Sequence, residues 1–108
     1  MKKLIRVLFF LFNPIGFYKK NHALLTKWAK IVYRRDKNTC AKCGKVGVRK
    51  YDRWIGLKFN AHHIYPKSIY PKRAFDITNG ITLCEPCHKE WHRKHGLRVE
   101  PFKNWLDS

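Results

Sequence analysis

Acidic residues are scarce in this chain: 7 Asp and Glu stand against 24 Lys and Arg, a formal charge of +17 on 108 residues. A surface built only for solubility mixes both signs. The imbalance therefore points to a polyanion, with nucleic acid preferred over an anionic membrane face. Long apolar runs are also absent. Leu4 to Phe12 is interrupted by Arg6 and is too short to cross a bilayer, so no stable membrane association is expected. The charged start at Lys2 and Lys3 resembles a signal peptide, but no small-x-small cleavage site follows closely. The segment 1–20 is read instead as an apolar and basic extension, a short helix docked on the domain or an oligomer contact. The chain has no linker, low-complexity stretch or solenoid repeat. It reads as one domain, small enough to need a staple.

Four cysteines supply that staple. Cys40 and Cys43 form one Cys-x-x-Cys pair, Cys84 and Cys87 the other. Four thiolates fill one tetrahedral Zn²⁺ site; two disulfides in a secreted protein are the alternative. Zinc ligation implies a reducing compartment, hence a cytoplasmic protein.

Between and around the knuckles the pattern is α+β. Leu24, Leu25, Trp28, Ile31 and Val32 lie on one face of a helix over 21–35, an apolar stripe expected to pack in the core. Leu57 to Ile64 alternates as a strand, which puts His63 on the side of Leu57, Phe59 and Ala61 and His62 on the other. Pro66 and Pro71 mark 65–79 as an ordered loop. A short strand over 81–83 leads to a helix opened by Glu85-Pro86 and closed by Gly96. Residues 97–108 carry Leu97, Val99, Phe102, Trp105 and Leu106 and are expected to pack back on the domain.

His88 and His92 are spaced i, i+4 on the second helix, so two imidazoles share one face and can share one metal. With His62 and His63 at the end of the strand they make a cluster of four beside the thiolates. A solvated surface residue is the default for any single histidine; four at these offsets are a site.

His62-His63-Ile64, Asn79 and His88, set between Cys40-x-x-Cys43 and Cys84-x-x-Cys87, resemble the HNH nuclease family, in particular its small zinc-stapled members from bacteriophages and among homing endonucleases. The likeness runs from about Val32 to Gly96 and takes in Arg35-Asp36 and the 79–84 stretch. It implies a ββα-metal (His-Me) finger with a four-cysteine structural zinc site and flanking helices, the nuclease domain occupying 21–96 with its core at 32–96. On this resemblance His63 is the general base. His62, at a position often held by aspartate, binds the catalytic ion with His88, and His92 is a third ligand seen in some members. Asn79 ties the loop by backbone hydrogen bonds and helps orient His63.

The implied reaction is metal-dependent hydrolysis of DNA phosphodiesters, by nicking or double-strand cleavage, leaving 5′-phosphate ends. One divalent ion with few protein ligands leaves room for phosphate and water. Imidazoles in place of a carboxylate soften the site, favouring Mn²⁺, Ni²⁺ or Zn²⁺ over Mg²⁺ as sole cofactor. Lys67, Lys72 and Arg73, in the loop between the two halves, are candidates for flanking phosphates, with Lys58, Lys89 and Arg93 as further cations. No recognition helix or repeat is evident, so specificity is low or comes from a partner such as a phage packaging or repair protein, in the host cytoplasm if the chain is phage-encoded. The alternative is a non-catalytic zinc-finger module that binds nucleic acid. Neither oligomeric state nor target sequence is legible.

Overall fold

The computed structural model describes residues 14–99 and 101–107, with side chains from residue 21 onward. The apolar run Leu4–Phe12 lies outside the described residues. Helix α1 (Pro14–Arg35) starts on a proline, whose missing N–H costs nothing in a first turn. It begins seven residues before the span expected from the apolar stripe. Lys37 and Asn38, both at positive φ, end it and turn the chain into the first knuckle. There the Cys40 N–H donates to the Lys45 carbonyl and the Gly44 N–H to the Cys40 carbonyl.

Two antiparallel hairpins follow. Strands β1 (Val48–Lys50) and β2 (Arg53–Ile55) pair around a Tyr51-Asp52 turn in which both residues have positive φ. Strands β3 (Phe59–His63) and β4 (Gly80–Cys84) pair in a register that sets His63 opposite Gly80 and His62 opposite Ile81. The expected loop between them is ordered, as two 3₁₀ turns over Pro71–Arg73 and Ile77–Asn79. Helix α2 (Glu85–His95) carries Glu85 in the first turn and a run of basic residues from His92 to His95 in the last, in accord with the helix dipole. A short α3 (Pro101–Asp107) completes the chain.

The β3–β4 hairpin lies between α1 and α2. On the α2 side Leu83, Trp91, Phe102 and Trp105 pack with Cys40, Cys84 and Cys87 into one buried cluster. Phe102 and Trp105 thus bring the C-terminal helix into the core. On the α1 side Trp28 and Val32 are buried, yet Leu24 and Ile31 remain 40% and 39% exposed. The apolar stripe is wider than the hairpin it covers: of its five residues Trp28 and Val32 are buried and Leu25 is half-buried. Leu97, also expected to pack, is exposed. The architecture is small α+β with the ββα order of a metal finger.

Candidate metal centres and active site

The first centre is the thiol cluster. The Sγ atoms of Cys40, Cys43, Cys84 and Cys87 all lie within 4.8 Å of one another, with Cys43 and Cys84 at 3.6 Å. Zn–S bonds of about 2.3 Å in a tetrahedron require sulfurs about 3.8 Å apart, so the donor set fits that ion. Burial acts to raise the Cys40 pKa, but the N–H groups of Cys43, Cys84 and Lys42 outweigh it and bring the thiol down to about 7. Burial pushes the Cys87 thiol up instead. An Ala41 N–H to Thr82 carbonyl bond of 2.9 Å ties the first knuckle to β4, and so to the second.

The second centre is three imidazoles. Ligand nitrogens of His62, His88 and His92 also fall within 4.8 Å of each other. His92 Nδ1 donates to the Gly96 carbonyl at 3.2 Å, which leaves Nε2 as its lone-pair atom; that atom is 3.0 Å from His88 Nε2. Such a bond from the far nitrogen is how proteins aim a metal-binding histidine. His62, only 3% exposed, stacks on the Phe102 ring with the planes 22° apart, and its Nε2 is buried with no hydrogen-bond partner among the described residues. A buried nitrogen left unpaired is costly, and a divalent cation would satisfy it. Burial, then the positive charges of His88 and His92, push His62 down to about 3. Burial and His92 take His88 to about 4. Both imidazoles are therefore neutral, the form that binds a metal, well below neutral pH.

His63, the next residue in the strand, faces α1 instead. Its Nε2 donates to the Ala74 carbonyl at 2.9 Å, which fixes the tautomer and leaves Nδ1 as an acceptor. Its ring lies flat on Trp28, centroids 3.9 Å apart and planes 10° from parallel. Gly80 makes room for this stack, since a Cβ there would come within 2.6 Å of both Trp28 and Val32. The Trp28 Nε1–H donates to the Asp76 carbonyl at 2.8 Å, locking the indole to the loop. Burial lowers the His63 pKa, with the Ala74 carbonyl acting in the opposite direction and the Lys67 charge reinforcing the fall.

Asn79 closes the loop that supplies Ala74. Its Oδ1 accepts from the Tyr65 N–H at 2.8 Å, and its Nδ2 donates to the Tyr65 and Arg73 carbonyls at 3.0 and 3.1 Å. The loop is held from outside by Arg35, which donates to the carbonyls of Ile77 and Gly80 at 2.9 and 2.6 Å, on either side of Asn79. Asp36 holds the Arg35 guanidinium at 2.8 Å and accepts from the Thr82 N–H at 3.0 Å.

A cleft of about 260 Å³ opens beside the imidazoles, lined among others by His62, His63, His88, His92, Lys67 and Arg98. Of the three candidate phosphate contacts in the loop, Lys67 reaches this cleft. Lys72 is exposed on the first 3₁₀ turn, outside the cleft lining, and Arg73 lies with its guanidinium 4.0 Å over the Tyr65 ring. Arg98 was not singled out by the sequence because nothing local marks one cation in a basic chain. Trp28 was legible as a core residue only; its place against His63 depends on a contact between distant segments. Arg35-Asp36 stood out by resemblance, without the loop carbonyls that explain them.

A model of the HNH endonuclease family matches residues 40–94, about half of the chain and all seven of the clustered cysteines and histidines. Comparison with curated proteins and with solved structures gave no match.

Proposed function

The chain belongs to the HNH endonuclease family, and from that premise we propose that it is a metal-dependent DNA endonuclease with His63 as general base. The observation that carries this is a division of labour between adjacent residues of β3. His62 turns into the imidazole triad, while His63 is held on the opposite face by the Ala74 carbonyl with one nitrogen left to accept a proton.

His62, His88 and His92 would hold one divalent ion, and the thiols of Cys40, Cys43, Cys84 and Cys87 one structural Zn²⁺. Bound there, such an ion would supply positive charge for the scissile phosphate and the departing 3′ oxygen. His63 Nδ1 takes a proton from the attacking water as its oxygen bonds to phosphorus. The P–O3′ bond breaks, and the departing 3′ oxygen takes a proton from solvent water, leaving a 5′-phosphate and a 3′-hydroxyl. Trp28 and the Ala74 carbonyl keep the imidazole in place during the transfer. Asn79 keeps Ala74 in place through the Arg73 carbonyl one residue earlier. Lys67 and Arg98 line the cleft as contacts for the substrate backbone. The nuclease unit on this reading spans 21–96, with α3 packed on it, in a reducing cytoplasm that keeps the thiols reduced and able to hold zinc.

Plasmid nicking by zinc-loaded protein tests the proposal, with Mg²⁺, Mn²⁺, Ni²⁺ or chelator and with His63→Ala alongside. Cleavage is expected to need added metal, to prefer the transition metals, and to disappear in His63→Ala while both metal sites still load. Salt-sensitive DNA binding with no cleavage under any ion would replace the nuclease with a zinc-stapled binding module.

A further inference from the structure

The β1–β2 hairpin takes no part in either cysteine or histidine cluster, and its outer face is both apolar and cationic. Val46, Val48 and Ile55 are exposed there beside the cations Lys45, Lys50 and Arg53. At its tip Tyr51 is 96% exposed and sits at φ +52, in a turn whose two central residues both have positive φ. Such turns favour Asn-Gly because a bulky side chain there is strained. The tyrosine ring gains no packing in return.

The hairpin is nonetheless firmly placed. Trp54 packs against Phe59 and Tyr33, Arg49 stacks over Tyr33 and Trp54, and Asp52 pairs with Lys30 of α1 at 2.9 Å. Between the tip and α1 lies a polar cleft of about 290 Å³, lined by Lys30, Arg34, Arg49, Asn38, Tyr51 and Asp52. Its one carboxylate is already paired with Lys30, so Arg34 and Arg49 leave it net positive. Lys27, Lys30 and Arg34 follow at i, i+3 and i+7 along α1, a cationic row leading to the cleft.

We propose that this hairpin and the cleft beneath its tip form a second grip on the DNA, holding the duplex that flanks the cut. Arg34, Arg49, Lys50 and Arg53 meet backbone phosphates, and Tyr51 with the apolar strand face lies against a groove, which a two-stranded ribbon can enter. The inference rests on the DNA reading of the active site. Phe59, at the root of the hairpin, and His63 lie on the same side of β3, four residues apart, or about 13 Å. The grip therefore falls about four base pairs or more from the scissile phosphate.

The test measures binding of zinc-loaded full-length protein to a duplex of about 8 base pairs and one of about 24, across a salt series. The double variant Lys50→Ser/Arg53→Ser is expected to lose about tenfold or more on the long duplex, with a salt slope shallower by about two, and little on the short one. Tyr51→Gly, which relieves the positive φ, is expected to melt higher yet bind the long duplex more weakly. Lys94→Gln/Lys103→Gln, removing equal charge from α2 and α3, serves as the control. Equal losses on both duplexes, or the same loss in the control, would overturn the proposal. So would Val48→Ser/Ile55→Ser turning a dimer into a monomer with duplex affinity unchanged, which would assign the face to a second copy. Wild-type protein that binds neither duplex would remove the DNA reading itself; wild-type binding with unaffected variants would remove the hairpin grip alone.

Discussion

Asn79 makes three hydrogen bonds through one buried amide, two to Tyr65 and one to Arg73. In Asn79→Ala the Tyr65 N–H loses its acceptor, which costs about 1–3 kcal/mol for a buried group. The variant is expected to melt lower and to lose kcat far more than KM, because the loop that aims His63 slackens while the DNA surface stays. Equal effects on kcat and KM would mean that Asn79 serves the fold alone. The histidines give a pH signature. His62 and His88 titrate near 6.5 in an unfolded chain but are lowered to about 3 and about 4 by burial first and by neighbouring imidazolium charge second. Below pH 6.5 the unfolded state then binds more protons, so stability is full above that pH and is lost as pH falls toward 4. Thermal melts of protein carrying only the structural zinc should show the decline between pH 6.5 and 4, and His62→Gln should flatten it. An unchanged slope in that variant would show that the titration belongs elsewhere. The residue types were readable from sequence at every one of these positions. The hydrogen bonds were not, since each joins segments separated along the chain.

The β3–β4 hairpin decides what the two adjacent histidines do. Strand alternation alone sends His62 to one face and His63 to the other, but only the packing of α1 and α2 on opposite faces gives those directions different chemistry. Gly80 sits across from His63 and lets α1 approach closely. Gly80→Ala puts a methyl carbon 2.6 Å from Trp28 and Val32, an overpacking that costs about 1–3 kcal/mol. Displacing Trp28 also disturbs the stack on His63. We expect a lower melting temperature and reduced cleavage, with metal affinity at the triad nearly unchanged because the triad lies on the other face. Calorimetric titration of Ni²⁺ beside a cleavage assay separates the two, and a large fall in Ni²⁺ affinity would refute this account of the faces. The second helix was legible at both ends, from Pro86 and from Gly96, because its signals are local. The start of α1 and the exposure of Leu24 and Ile31 were not. Periodicity marks an apolar stripe without stating how wide its partner is.

On the scale of the whole molecule, the thiol cluster joins the knuckle after α1 to the junction of β4 and α2, inside the same buried group as Trp91, Phe102 and Trp105. A structural zinc ion contributes about 10 kcal/mol or more, comparable to the whole stability of a small domain. Removing zinc with a strong chelator is expected to unfold the chain, seen as loss of near-ultraviolet signal from the core tryptophans together with full reactivity of four thiols. A metal-free protein with an unchanged spectrum would show the cluster to be dispensable. Among the described residues no helix is long and apolar enough to cross a membrane, and the charge of +17 is spread along the chain rather than held in a tail.

The sequence by itself determined the ligand inventory, the two-knuckle spacing, the local ends of α2, the basic character and, through its motif, the family. These are properties of residue type and short-range order, and they survive without coordinates. Tertiary structure decided that His62 is buried while its neighbour stacks on Trp28, that Arg35 grips the loop around Asn79, that Arg73 rests on Tyr65 while Lys67 and Arg98 line the cleft, and that a braced hairpin presents Tyr51 to solvent. Each of those depends on which distant segments pack together, and packing is set by the shape of the whole core rather than by any one stretch of the chain.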